Sequence, residues 1–297
     1  MVKRAKLKIN QSLLTKITVG FICLYLLFHF GKSFKNSLFF TQKDRLNVVF
    51  YAHQQTFVSF GLTDKVHYLA HFDNNLLVFV PGGYGRYKIG SLGKLANLEK
   101  KPTIVKNTFS SVASTFIDFY FYPKKAKVYS ESGSFNLNPL EILKINYQTN
   151  ANFFDRVYLF FLLLNKRKSD FSLLNTDFNV DEKNKFYEDD FFTKYQGYFY
   201  QKFLRDERKN LQIYYKNYKS AQILNRIIEG EGIRVVDLTT MERKEKNCQV
   251  IENSSARTSS KTAIFLSKVF SCKIEKGETG VGDLRMILGE KLEKEWE

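Results

Sequence analysis

The longest uncharged apolar run of the chain lies near its N-terminus, at residues 17–30 (ITVGFICLYLLFHF). No acidic residue precedes this run, but five cations do: Lys3, Arg4, Lys6, Lys8 and Lys16. A membrane-spanning helix needs about 20 apolar residues, and the run reaches 18 when it is extended back to residue 13. Because no A-x-A-like cleavage site follows, the pattern favours an uncleaved anchor over a cleaved signal peptide or a buried core helix. We therefore predict a basic tail at residues 1–16 and a single-pass transmembrane anchor at residues 17–30.

Strand-like and helix-like patterns alternate in the next part of the chain. The run at residues 46–60 (LNVVFYAHQQTFVSF) predicts a strand, a turn and a second strand. Residues 66–70 and 75–80 predict a further pair of strands around a turn at Asp73. The other elements predicted here are a strand at 116–122 and helices at 106–114, 140–145 and 153–164. The last of these (FFDRVYLFFLLL) is apolar nearly all round, which predicts burial, and a polar connector is predicted at residues 166–184.

The last third of the chain shows the most regular pattern. Apolar residues recur at helical spacing in two segments, 220–229 and 259–270. Short β-prone runs flank both segments, at residues 211–216, 233–238, 248–251, 272–275 and 284–288. The order predicts two β-α-β units in tandem, with one sheet and two helices on one face, and therefore an α+β fold.

The net charge of +16 is spread unevenly. Residues 1–45 carry nine cations and one acid, and residues 46–180 carry fifteen cations and nine acids. Because the more basic flank of an anchor stays in the cytoplasm, we predict a cytoplasmic N-terminus and an extracytoplasmic body. A basic body at that surface favours membrane lipid or a phosphate-bearing envelope polymer as partner, and nucleic acid is not expected because no motif accompanies the charge. A solvated basic surface without a partner remains an alternative.

Two sets of residues are candidates for chemistry or cross-linking. Cys248 and Cys272 begin successive strands of one predicted β-α-β unit, and such strands start at the same end of a sheet. In an oxidising compartment they are expected to form a disulfide, the alternative being two buried thiols. Arg86 and Lys88 follow the glycine turn at residues 81–85 and are candidates for phosphate or polymer contact, the alternative being an ordinary hairpin with exposed charges. No histidine spacing indicates a metal site, and no catalytic residue is predicted.

The strand, helix and Val-rich strand in LQIYYKN (211–217) and ILNRIIEGEGIRVVDL (223–238) resemble the LytR C-terminal domain. The segment GDLRMILGEKLEKEW (282–296) is similar to the end of that domain. Residues 46–51, 76–89 (LLVFVPGGYGRYKI) and 116–122 resemble the LytR-CpsA-Psr domain that commonly precedes it. The resemblance implies a mixed α/β domain at residues 46–180, a connector at 186–204 and a LytR C-terminal-like domain at 205–297.

The LytR-CpsA-Psr family transfers glycopolymers from lipid pyrophosphate carriers to the cell wall, and this chemistry needs Arg on the pyrophosphate and Asp on a divalent metal. The position of the family's first motif reads Tyr51-Ala52-His53-Gln54, and that of the third reads Val80-Pro81-Gly82-Gly83, with neither Arg nor Asp. At the second motif the chain has no Asp-Thr, and Asp73-Asn74-Asn75 is the nearest segment. The family's Arg and Asp motifs are therefore not matched. The resemblance implies a non-catalytic binding or scaffolding module of the cell envelope without a cofactor. The alternative is an active phosphotransferase with relocated ligands and Mg²⁺.

Overall fold

The computed structural model describes residues 11–41, 43–131, 138–177, 184–242, 245–253 and 258–297. The strands are β1 (Arg45–Tyr51), β2 (Gln55–Gly61), β3 (His67–Phe72), β4 (Leu77–Val80), β5 (Gly85–Lys88), β6 (Phe119–Pro123), β7 (Tyr147–Thr149), β8 (Phe171–Leu174), β9 (Asn210–Tyr215), β10 (Arg234–Thr240), β11 (Gln249–Asn253), β12 (Lys273–Gly277) and β13 (Leu284–Ile287). The helices are α1 (Gln11–Lys35), α2 (Leu92–Leu98), α3 (Thr103–Ala113), α4 (Pro139–Leu143), α5 (Phe153–Leu164), α6 (Glu188–Tyr195), α7 (Lys202–Glu207), α8 (Tyr218–Gly230), α9 (Lys261–Phe270) and α10 (Glu290–Trp296).

Helix α1 is 25 residues long and contains the segment predicted as the anchor. Its side chains between residues 18 and 30 are all exposed. No helix in the described part of the chain is long and apolar enough to cross a membrane. The transmembrane anchor at residues 17–30 is therefore not confirmed and stays a prediction.

The first sheet has six strands in the order β7-β6-β1-β2-β3-β8. Strand β1 pairs antiparallel with β2 and parallel with β6, and β3 pairs antiparallel with β2 and parallel with β8. Because successive side chains of a strand point to opposite faces, Val49 and Phe57 enter one core and Val48 and Val58 enter another. Helices α2, α3 and α6 and the β4-β5 hairpin cover the first face, and α4 and α5 cover the second. The sheet is thus buried on both sides.

The second sheet has the order β10-β9-β13-β11-β12. Its two β-α-β units, β9-α8-β10 and β11-α9-β12, are parallel, and β13 lies between them, parallel to β9 and antiparallel to β11. One core holds the inward residues of the sheet and of three helices: Leu211, Ile213, Val250, Leu284, Met286, Ile223, Leu224, Ile227, Ala263, Leu266, Leu292 and Trp296. The α+β fold is confirmed, and α10 is a helix that the pattern did not predict.

The predicted disulfide joins Cys248 and Cys272 in the structure, with a Cα–Cα distance of 4.6 Å. Cys248 immediately precedes β11 and Cys272 immediately precedes β12. The bridge therefore fastens β12, an edge strand, to its parallel neighbour β11 at the point where both begin.

Three expectations about the middle of the chain were wrong. β3 and β4 do not pair with each other, since β3 joins the six-stranded sheet and β4 forms a separate hairpin with β5. The stretch expected to be a polar connector contains β8, which extends the first sheet. Helix α5 has the predicted bounds, but it is buried on one side only, because Phe153, Phe161 and Leu164 on its other side are exposed. Within the predicted connector at residues 186–204, α6 packs on the first core.

The two sheets meet through α3 and α8. A Cβ atom added to Gly230 at the end of α8 would lie 1.8 Å from the carbonyl oxygen of Ser114, so only glycine permits this approach. The approach brings the next residue, Glu231, fully inside the protein, where it accepts hydrogen bonds from the Thr115 hydroxyl and the Phe116 N–H.

Candidate functional site

A groove of about 910 Å³ opens between the segment after α1, the turn between β2 and β3, and α9. The segment after α1, the turn between β2 and β3, helix α5, the start of α7 and one side of α9 all contribute to it. The residues that line it are Leu38, Phe39, Thr41, Lys43, Asp44, Leu62, Thr63, Tyr158, Gln201, Phe203, Lys261, Ile264, Phe265, Lys268 and Val269. We call this cavity the α9 groove.

Four aromatic rings form part of the walls of the α9 groove. The rings of Phe39 and Tyr158 meet edge to face at 5.3 Å on one side, and those of Phe203 and Phe265 meet at 6.0 Å on the other. Phe39 is 46% exposed, so the groove offers apolar surface that the protein itself does not cover. Such a lining favours an acyl or prenyl chain or another apolar body.

Three lysines give the α9 groove a positive charge. Lys43 forms an ion pair with Asp118. Asp44, the acid of the lining, accepts hydrogen bonds from the Thr63 hydroxyl at 3.0 Å and the Phe203 N–H at 2.8 Å. Lys261 and Lys268 form no ion pair with any described residue. The groove can therefore hold the apolar part of an amphiphile while these two ammonium groups meet its anionic part.

A buried polar network runs from the first sheet towards α8. Asp118, the partner of Lys43, also accepts from the Asn47 N–H at 2.8 Å, and the Asn47 side chain donates to Thr115 at 2.9 Å. Thr115 donates to Glu231 at 2.6 Å. Burial raises the pKa of the Glu231 carboxyl to about 7, although its hydrogen bonds with Thr115 and Phe116 act in the opposite direction. Among the described residues, its Oε2 atom has no hydrogen-bond partner.

The glycine turn that sequence reasoning selected is engaged within the protein. Gly82 and Gly83 have positive φ angles of 95° and 84°, and both N–H groups donate to the carbonyl oxygen of Glu297 at 2.9 Å. Arg86 donates to the carbonyl oxygens of Leu77 and Phe186 and forms an ion pair with Glu188 at 3.3 Å. The exposed Lys88 reaches the side chain of Asn75 at 3.4 Å. Phosphate or polymer contact by Arg86 and Lys88 stays a prediction, and the structure gives Arg86 a cross-linking role.

Replacement of Arg86 by alanine is expected to lower the free energy of unfolding by about 2 kcal/mol. The side chain of Glu188 is only 7% exposed, and Arg86 is its ion-pair partner. Lys88→Ala, which removes a neighbouring exposed cation, is expected to change stability by no more than about 0.5 kcal/mol. Urea unfolding of both variants measures the difference, and equal effects would argue against the cross-linking role.

One described cavity, of about 340 Å³, brings together Arg205, Arg234 and Glu229, but these residues lie outside residues 46–180, where the relocated ligands of a phosphotransferase are expected. The α9 groove contains no arginine. A further cavity of about 560 Å³ lies between α3 and the second sheet, and its charged lining residues are Lys106, Lys273, Lys291, Glu275 and Glu295. Across the described residues, no three His, Cys, Asp or Glu side chains form a group that could hold a metal ion.

The α9 groove escaped sequence reasoning because its parts are far apart in the chain. Phe39 and Phe265 are separated by more than two hundred residues. The sequence did contain one signal of the groove's charge. Lys261 and Lys268 are seven residues, or about two helical turns, apart, which places both on one side of α9. Nothing in the local pattern around Glu231 indicated burial, because glycines flank it as they would in an exposed turn.

Neither a protein-family model nor a curated protein matches the sequence. Among solved structures, the chain is similar to Bacillus subtilis TagT, with 13% identity, a TM-score of 0.33 and coverage of 50% of this chain and 87% of that one. It is also similar to B. subtilis TagV, with 11% identity, a TM-score of 0.32 and coverage of 45% and 85%. A TagT structure with bound octaprenyl pyrophosphate lipid shows 13% identity, a TM-score of 0.29 and coverage of 44% and 76%.

Proposed function

We propose that this chain is a membrane-anchored, extracytoplasmic envelope protein that binds a lipid-linked anionic polymer precursor without transforming it. The observation that carries the proposal is the α9 groove, in which aromatic walls adjoin Lys261 and Lys268. A lipid-linked precursor has this same combination of a long apolar chain and a phosphate group. Binding would hold the precursor for other envelope proteins, as a scaffold does.

The position of the α9 groove supports a ligand that comes from a membrane. Leu38, Phe39 and Thr41 of its lining follow directly after α1, the helix that contains the predicted anchor. If α1 spans the bilayer, the groove opens close to the lipid headgroups, where the phosphate of a lipid carrier lies. The ligand would then enter the groove while part of it stays at the membrane surface.

The residues at the family's motif positions support binding without chemistry. The Tyr51 ring is buried in the first core, and the His53 ring packs against Tyr129 at 5.0 Å. The Asn74 amide donates to the backbone oxygens of His53 and Glu131. These side chains are packed or hydrogen-bonded within the protein at the positions where an active enzyme of the family would need Arg and Asp. The alternative, an active phosphotransferase with Mg²⁺, requires an acid and two arginines in one cavity of residues 46–180, whereas the described cavity with such a set is lined by Arg205, Glu229 and Arg234, outside that part of the chain.

Octaprenyl pyrophosphate in detergent is a suitable probe of the α9 groove. We expect the wild-type chain to bind it and the double variant K261E/K268E to bind about thirtyfold more weakly, because each of the two reversed charges costs on the order of 1 kcal/mol beside an anionic group. Lys94→Glu, a reversal in α2 on the opposite face of the first sheet, is the matched control and should bind like the wild type.

Absence of wild-type binding, or equal affinities of the wild type and the double variant, would contradict the proposal. The same mixtures distinguish the alternative function when they are supplemented with Mg²⁺ and an acceptor glycan. Transfer of the terminal phosphoryl group of the probe to a hydroxyl of the glycan, with release of octaprenyl monophosphate and the hydroxyl proton, would show an active phosphotransferase. Binding without transfer is the result that we expect.

A further inference from the structure

Helix α5 has two apolar sides, and only one of them is used by the fold. Leu159 and Leu163 are buried against the first sheet. Phe153, Phe161 and Leu164 are 65%, 54% and 57% exposed. These three residues stand at positions i, i+8 and i+11, so they form one stripe along the outer side of the helix.

The exposed stripe is part of a larger apolar surface. α4 and the residues that follow it expose Leu140, Leu143 and Ile145 beside α5. We call the surface formed by these three residues and the stripe the α5 face. Monomeric soluble proteins rarely expose a contiguous patch of so many large apolar side chains without a partner for it.

The α5 face is continuous with α1. The Phe154 ring of α5 contacts Phe30 at 4.7 Å and Phe34 at 4.9 Å. A hydrogen bond of 2.8 Å from the Leu38 N–H to the Asp155 carboxylate fixes the chain after α1 against the start of α5. The exposed side chains of α1 are therefore joined to the stripe of α5 through Phe154, whose ring also lies 5.6 Å from that of Phe153.

Basic residues border the α5 face. Between residues 139 and 170 the chain has five cations, which are Lys144, Arg156, Lys166, Arg167 and Lys168. The three acids of the same stretch have partners within it or close by, since Glu141 pairs with Lys144, Asp155 caps α5 and Asp170 accepts from the Arg167 N–H. The border is therefore positive, as at surfaces that contact anionic lipid.

We infer that the α5 face rests on an anionic lipid bilayer beside α1, with Phe153, Phe161 and Leu164 inserted at the boundary between headgroups and acyl chains. An apolar stripe with a basic border is the pattern of a helix that lies in the plane of the membrane interface. A second copy of this chain is the other conceivable occupant, but a two-fold interface would bring the two basic borders together. The inference rests on the membrane attachment in the proposed function and does not depend on the α9 groove.

Quenching of tryptophan by brominated lipids tests the contact in the full chain reconstituted into anionic vesicles. Phe161→Trp places the reporter on the α5 face, Leu24→Trp places it in α1, and Leu98→Trp places it at an exposed position of α2, across the first sheet. The native Trp296 is buried, and its signal is subtracted. We expect about twofold quenching at positions 24 and 161, since the interfacial face of such a helix lies about 5–10 Å deep, and none at position 98.

The three reporters separate the failure of this inference from that of the proposed attachment. Quenching at position 24 without quenching at position 161 overturns the inference alone. No quenching at position 24 overturns both the attachment and the inference. A blue-shifted, unquenched emission at position 161 that grows with protein concentration would assign the α5 face to a second copy and also overturn the inference.

A charge-reversal pair tests the basic border. In anionic vesicles, a Phe161→Trp chain that also carries K166E/R167E/K168E is expected to show less quenching than the Phe161→Trp chain alone. High salt should abolish this difference between the two chains. K94E/K100E/K101E, which reverses three exposed lysines in and after α2, across the first sheet from α5, is the matched control and should quench normally. Equal quenching by the two triple variants would overturn the electrostatic part of the inference.

Discussion

Between pH 4.5 and pH 8 the free energy of unfolding of the wild type is expected to fall by about 3 kcal/mol, and replacement of Glu231 by glutamine should remove this fall. The carboxyl of Glu231 has a pKa of about 7 in the folded chain, against 4.5 for an unburied glutamate. It lies at the contact between α3 and α8, where the two sheets meet. The effect is large because the group is fully buried.

The direction of the effect follows from where the proton is bound. Between pH 4.5 and 7 the folded chain keeps a proton on Glu231 that the unfolded chain releases, so rising pH favours unfolding. Below pH 4.5 both states are protonated and Glu231 contributes no pH dependence. Above pH 7 both states are ionised, and the cost of the buried charge is complete. Stability therefore falls through this window, opposite to the behaviour of a carboxylate whose pKa is lowered by folding.

Urea unfolding at pH 4.5, 6, 7 and 8 measures this difference. Glutamine keeps the side-chain oxygen that accepts from Thr115 and Phe116 but cannot ionise, so the free-energy gap between variant and wild type isolates the titration. Glu278→Gln, at an exposed position, is the control and should leave the wild-type pH profile unchanged. Parallel pH profiles of the wild type and the Glu231 variant would refute the buried-titration argument.

The sequence predicted those elements whose pattern is local. β1, β2 and the bounds of α5 follow from β-branched runs and from helical spacing, which each act over a few residues. The disulfide was predictable because Cys248 and Cys272 stand at equivalent positions of one β-α-β unit. Strand pairing outside this β-α-β unit was not predictable. The turn at Asp73 is compatible with a hairpin of β3 and β4, but it does not require these two strands to pair.

The features that matter most for the site depend on distant contacts. The composition of α5 shows that it is apolar but not which side meets the sheet, so the exposure of Phe161 was hidden. Glu231 is buried because Gly230 lets α8 approach Ser114, and no pattern around residue 231 refers to residue 114. The α9 groove likewise arises only when α1, α5 and α9 are brought together by the two cores.

Removal of the disulfide is expected to lower the free energy of unfolding by about 3 kcal/mol, because the bridge closes a loop with a sequence separation of 24 residues and restricts the unfolded chain. The C248A/C272A double variant avoids a lone thiol and should lose this stability in urea unfolding. The wild type should lose a similar amount after reduction, whereas the reductant should not affect the double variant. Equal stability of the oxidised wild type and the double variant would contradict the prediction.

The effect should begin at the edge of the second sheet. Among the described strands, β12 pairs with β11 alone, and the bridge is the covalent link between the starts of these two strands. Amide hydrogen exchange in β12 should therefore accelerate more than exchange in β9, which lies between two strands.

The bridge also agrees with the proposed extracytoplasmic location, because disulfides persist in oxidising compartments. Non-reducing peptide mapping of chain isolated from envelopes should recover the Cys248–Cys272 pair, and two alkylated thiols there would argue against export.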